Sequence, residues 1–189
     1  MKNVKQLLYS IGIVGLLAGC LSEEDKVNIE KVDQLIADTQ EQLTALEATN
    51  YEAILVHHDT LFSNLGLLGR NLEDTVSKRL LVMLGDYRGM RKVYAKYKKS
   101  YPELLAATKT EIEQLESLKK DIENDIVKED KFEKYYQLEQ NNVNTIVDKV
   151  GQITVKINRA EELYKDYAPS VDSLSVVVRE KIKAKKATQ

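Results

Sequence analysis

Tryptophan is absent from these 189 residues, proline occurs twice, glycine eight times and cysteine once. A strand-rich fold needs many tight turns, and those draw on clusters of Gly, Pro, Asn and Asp. The shortage of Gly and Pro therefore argues against one. A single cysteine excludes any intramolecular disulfide, so stability must come from packing. No basic excess exists either: 28 Lys and Arg stand against 30 Asp and Glu, which offers no footprint for nucleic acid. There is no Gly-x-Ser-x-Gly elbow, and Gly85-Asp86-Tyr87-Arg88-Gly89 lacks the spacing and the preceding strand of a phosphate loop. Nothing here points to an enzyme or to a bound cofactor.

What is present is a composition of long helices, with 31% charged residues and abundant Ala, Glu, Lys and Leu. The first twenty residues stand apart. Lys2 and Lys5 precede an uncharged apolar run from Leu7 to Leu17, and Leu17-Ala18-Gly19 leads into Cys20. The run is too short for about 30 Å of hydrocarbon, which takes roughly 20 apolar residues. Its small-residue exit reads as a processing site. This layout closely resembles the bacterial lipoprotein signal family. The resemblance implies cleavage after Gly19, lipid on the Cys20 thiol and acylation of the new amino terminus. More than one acyl chain anchors a protein stably, so the expected mature chain starts at Cys20 and carries no metal or spanning helix. Without Lys2 and Lys5 its 26 basic residues face 30 acidic ones, a formal charge of −4.

Leu21-Ser22-Glu23-Glu24-Asp25 follows the cysteine. It reads either as a solvated acidic tether over residues 20–26 or as an export signal. Ser22, Glu23, Glu24 and Asp25 resemble the Ser-plus-acidic segment that sends lipoproteins of Bacteroidota to the outer face of the outer membrane. Leu21 in place of Asp also fits the outer membrane, with the cell surface and the periplasmic face both open.

From residue 27 to 189 the chain reads as one helical domain. Apolar residues recur at alternating steps of three and four. One seam runs through Val32, Leu35, Thr39, Leu43 and Leu46. A second takes Ile54, His58, Leu61, Leu65, Leu68 and Leu72. A third takes Val76, Leu80, Met83, Tyr87, Met90, Tyr94, Tyr97 and Tyr101. Whether residues 50–100 form one bent helix or two, broken near Asn71 to Asp74, is open. Ser100-Tyr101-Pro102-Glu103 has the form of a new helix start, followed by Leu105, Thr108, Ile112, Leu115, Leu118, Ile122 and Ile126, with an exit at Lys128-Glu129-Asp130. The clearest seam runs from Phe132 to Tyr167 and is interrupted only by Glu139, for which Arg79, Arg88 or Lys92 are candidate cations. Ala168-Pro169-Ser170 should end or kink that helix. The fold implied is all-α: an elongated antiparallel bundle of four or five helices with coiled-coil-like seams. Segments at His58-Asp59, Leu115 to Ile122 and Tyr135 to Glu139 resemble uncharacterised helical lipoproteins of Bacteroidota, and no functional residue is carried over from them.

Two clusters could carry function. Tyr94, Tyr97 and Tyr101 meet Tyr164 and Tyr167 in an antiparallel pairing. They form either a wet core layer or a patch for a protein or glycan. His57 and His58 are the only histidines; adjacent positions on a helix diverge by about 100°, so a shared metal suits them poorly, although haem or a divalent ion remains the alternative use. The favoured function is a non-enzymatic, membrane-anchored lipoprotein of the bacterial envelope that binds another protein or an envelope component. The alternative is a ligand-, haem- or metal-binding bundle built on His57 or His58.

Overall fold

The computed structural model describes residues 21–72 and 77–188. Among them are four helices and no strand: α1 Glu23–Glu47, α2 Tyr51–Asn71, α3 Lys78–Glu123 and α4 Glu129–Ala187. At 1.5 Å per residue the 46 residues of α3 span about 69 Å and the 59 of α4 about 88 Å. Helices α1 and α2 lie end to end along this pair, each packing on both α3 and α4. Cross-helix contacts fix the directions: Lys119 meets Asp33, Tyr51 meets Lys98, and Tyr167 meets Asp86. Helix α3 therefore runs antiparallel to the other three, and the rod is three helices thick.

The seams explain why. In α3 the buried positions are Leu84, Tyr87, Met90, Tyr94, Tyr97, Tyr101, Leu104, Thr108, Glu111, Leu115, Leu118 and Ile122. Beyond the opening steps of three, the pattern alternates four and three without a slip, so one face stays inward for the whole helix. Helix α4 follows the same alternation through Val143, Ile146, Val150, Ile153, Ile157, Ala160 and Tyr164, slips once with a second step of four to Ala168, and resumes through Val171, Ser175 and Val178. The helix ends are capped locally. Ser22 and Asp25 form a reciprocal capping box. Asn50 accepts from the Ala53 N–H and Ser77 from the Leu80 N–H. Asn124 and Asp125 close α3, Asp125 at φ 54°, a left-handed angle to which Asp is better suited than most residues.

Several expectations are corrected. The tether over 20–26 gives way to helix at Glu23, because the Ser22–Asp25 box starts α1 there. The gap between Asn71 and Lys78 settles two helices over one bent one; Val76 lies outside the described residues. Helix α3 stops at Glu123, which leaves Ile126 exposed in the connection rather than packed. Neither proline breaks its helix. Pro169 sits on an exposed face of α4, where water can take the Lys165 carbonyl that lacks its N–H partner. Pro102 strips the partner from the Lys98 carbonyl, and that carbonyl instead accepts the Tyr51 hydroxyl at 3.1 Å. The Tyr51 ring also stacks on Tyr101, with centroids 4.3 Å apart. A side chain from the first turn of α2 thus repairs the defect in α3.

This repair is testable as a coupling. Tyr51→Phe keeps the ring stack and deletes the bond, which should cost about 1 kcal/mol. In a Pro102→Ala background residue 102 supplies its own N–H to the Lys98 carbonyl, and the same Tyr51→Phe change should cost almost nothing. Urea unfolding of the four variants measures the cycle. Equal costs in both backgrounds would refute the repair.

Candidate functional site

Cys20 and the cleavage residues Leu17, Ala18 and Gly19 lie outside the described residues. The candidate export residues Ser22, Glu23, Glu24 and Asp25 are the N-cap and first turn of α1. Their acidic character suits a helix N-terminus on its own, so the segment has a structural use whatever its role in export. It sits beside the start of α4: Glu24 faces Glu129, and Lys31 lies over the rings of Phe132 and Tyr136. The amino-terminal end of the described chain is therefore at the same end of the rod as the α3–α4 connection. The carboxyl end of α4 is at the other. There Arg179, Lys181, Lys183, Lys185 and Lys186 face a single acidic residue, Glu180.

The tyrosines do not form a surface patch. Tyr94 and Tyr97 are fully buried, and Tyr101 and Tyr164 nearly so; only Tyr167 is half-buried. The reason is space. At this level α1 ends and α2 begins, and large rings fill the widened cross-section. Tyr97 hydrogen-bonds Thr49 in the α1–α2 junction, and Tyr51 packs on both Tyr97 and Tyr101. Burial pushes the Tyr97 phenol up to about 12. Tyr94 is raised further still, by burial and then by the adjacent carboxylate of Glu161, to which it donates at 2.5 Å.

Glu161 joins three helices. Besides Tyr94 from α3 it holds His57 from α2, whose Nδ1 lies 3.1 and 2.9 Å from its two oxygens. The His57 ring stacks on Tyr164 at 4.2 Å. Both oxygens of Glu161 are thus engaged within the bundle, as a tie between helices. His58 points elsewhere. Its Nδ1 lies 2.7 Å from exposed Asp59, which also meets Lys98. The two histidines therefore share no partner, and among the described residues no group of three or more His, Cys, Asp or Glu is spaced to hold a metal ion. Both histidines are part-buried, His58 more deeply at 13% side-chain exposure against 27% for His57, and Asn64 rather than Leu65 is the buried residue below them. The Asn64 amide is satisfied by Asp172 at 2.6 Å.

Among the described residues Glu139 has no cation partner. Antiparallel packing puts Arg79, Arg88 and Lys92 toward the far end of α3, and the residue opposite Glu139 is Glu111. This carboxyl is 5% exposed, and its Oε1 has no hydrogen-bond partner. Burial, and then the hydrogen bond and charge of Glu139, push it up to about 7. Asn142 holds the second oxygen of Glu139 at 2.9 Å. Glu111 was missed as a candidate because its neighbour Ile112 also fits a helical stripe. With Thr39 and Thr108, both fully buried and bonded to their own helices, it makes a polar layer. Along α1 and α3 that layer separates the long apolar cluster around the tyrosines from a smaller one built on Val32, Leu35, Leu115 and Phe132.

A carboxyl that holds its proton more tightly folded than unfolded favours the fold below its unfolded value of about 4.5 and loses that contribution as pH rises through about 7. Glu111→Gln keeps the shape and cannot ionise. It should match the parent near pH 4 and be more stable at pH 8, by as much as about 3 kcal/mol. Chemical denaturation at the two pH values checks the difference between the variants, which cancels the titration of other groups. An equal offset at both values would refute the raised Glu111 carboxyl.

No protein-family model, no curated protein and no solved structure matches the chain.

Proposed function

We propose that this chain is a membrane-anchored helical lipoprotein of the bacterial cell envelope, held by lipid on Cys20 at the outer membrane, which works without catalysis by binding another protein or an envelope component. The observation that supports this best is axial. Glu23 opens α1 at one end of the rod, and the basic turns of α4 lie at the opposite end, with α4 alone about 88 Å long. Only Leu21 and Ser22 separate Cys20 from α1. A lipid there would attach the rod by its tip and hold the basic end far from the bilayer, as a spacer requires. Among the described residues no helix is long and apolar enough to cross a membrane, so attachment in this reading depends on the lipid. The reading built on His57 and His58 draws no comparable support, since those rings serve different partners.

Mass spectrometry of membrane-extracted protein should find Cys20 as a modified amino terminus, and Cys20→Ala should release the protein from the membrane fraction. An unmodified chain that begins at Met1 would end the proposal. Surface display is tested separately by protease accessibility on intact cells. Glu23→Gln with Glu24→Gln removes charge while sparing the Ser22–Asp25 cap. It should turn an accessible protein into a protected one, and unchanged accessibility would remove the export role of these residues.

A further inference from the structure

The face of the rod turned away from α1 and α2 carries a groove of about 550 Å³ between α3 and α4. Its floor is apolar: Val93, Leu104 and Ile153 lie at the bottom, Leu104 and Ile153 nearly buried. Its walls are basic on both sides, with Lys92 and Lys96 from α3 and Lys149 and Lys156 from α4. Glu103 is the one acidic residue of the lining. Among the described residues none of the four lysines is paired with a carboxylate; Lys99 and Lys120 on α3 are likewise unpaired, whereas Lys98, Lys109 and Lys119 have carboxylate partners. From Lys92 to Ala107 the groove runs about 22 Å along α3, which is four turns of helix.

The chain already shows what fits such a site. Helix α1 carries eight acidic and two basic residues and lies on the opposite face of the same two helices. Its apolar stripe is buried in the bundle, and its flanks pair with lysines: Asp33 with Lys119 at 2.7 Å and Glu47 with Lys109 at 3.3 Å. An apolar seam with carboxylates on its flanks, set against α3 and α4 and rimmed by lysine, is thus a packing mode this protein uses. We infer that the groove between Lys92–Ala107 and Lys149–Lys156 docks an acidic amphipathic helix of a partner protein, completing a four-helix cross-section. A lipid with one anionic head would need cations at one end of the groove. Lysines on both walls and along its length suit a ligand whose negative charge is spread along both flanks. A second copy does not supply the helix, since Val32, Leu35 and Leu46 of α1 are already buried in their own bundle. The inference deepens the partner-binding half of the reading above and rests on that half alone; it is independent of lipid on Cys20.

The test uses the purified chain and two labelled synthetic helices of about 20 residues, alike in a leucine stripe and differing in Glu or Lys flanks. Fluorescence anisotropy should show saturable binding of the acidic helix, weakened by added salt, and no comparable binding of the basic one. Reversing the four lysines, K92E, K96E, K149E and K156E, should weaken the acidic helix by about tenfold or more and should let the basic helix bind instead. These side chains are exposed, and an unchanged thermal melt checks that the variant is folded; the pair K96E and K156E gives the same test with half the charge change. Equal binding of the two helices, no binding of the acidic one, or no exchange of preference on charge reversal would overturn the inference. So would capture of the chain by phosphatidylglycerol vesicles without binding of the acidic helix, which would assign the groove to lipid.

Discussion

The whole rod depends on α3 remaining one helix past Pro102. A proline in a helix interior ordinarily costs about 3 kcal/mol and bends the chain away from its lost hydrogen bond. A bend there would carry the two halves of α3 off the common axis, and α1 and α2 could not then both lie along α4. The structure resolves this at one level. The carbonyl freed by Pro102 takes the Tyr51 hydroxyl, Tyr51 stacks on Tyr101, and Tyr97 bonds Thr49 in the turn between α1 and α2. The weakest point of the long helix and the break between the short helices share one cross-section, and the same tyrosines fill both. Their hydroxyls reach backbone and side-chain partners that leucines would leave unpaired.

That arrangement shows what could be read from the residues and what could not. The all-α class, the antiparallel bundle and most of the seam on α4 follow from steps of three and four, which are local. Pro102 and Pro169 misled because a proline is a local signal whose cost can be met by a distant group. The better guide was the seam itself. Tyr101, Leu104, Thr108, Glu111 and Leu115 keep their spacing straight through the proline, and a helix that restarted there would have no reason to stay in phase. Around Pro169 the seam slips once, with two steps of four through Ala160, Tyr164 and Ala168, and then resumes at Val171 and Ser175.

Partners across helices were the least legible. Glu139 was visible as an interruption of its seam, yet its neighbour Glu111 depends on how α3 slides along α4, a quantity no single stripe contains. The tyrosines were visible as an enrichment, but whether they face in or out depends on how wide the bundle must be where α1 gives way to α2. The basic groove was hidden for the same reason: Lys92 and Lys149 are ordinary exposed lysines on their own helices, and only the pairing of α3 with α4 makes them opposite walls. The lipoprotein reading of the segment around Cys20, by contrast, is a proposal that rests on sequence alone.

Charge is where these levels meet. The chain is close to neutral overall, at −2, and that total conceals a sorting. Acidic residues dominate α1, which is packed against α3 and α4 with lysines at its flanks. Unpaired lysines line the opposite groove, and basic residues end α4 at the far tip. Had stability alone governed the surface, interspersed signs with i, i+4 partners would serve as well and would avoid like charges facing each other across a groove. Lys96 and Lys156 gain nothing from each other. Their neighbours on α3 at 98, 109 and 119 show that carboxylate partners are readily accommodated on this surface. A face that sets four lysines on both walls of an apolar floor, with Glu103 its one carboxylate, is matched by a ligand that brings carboxylates along both flanks.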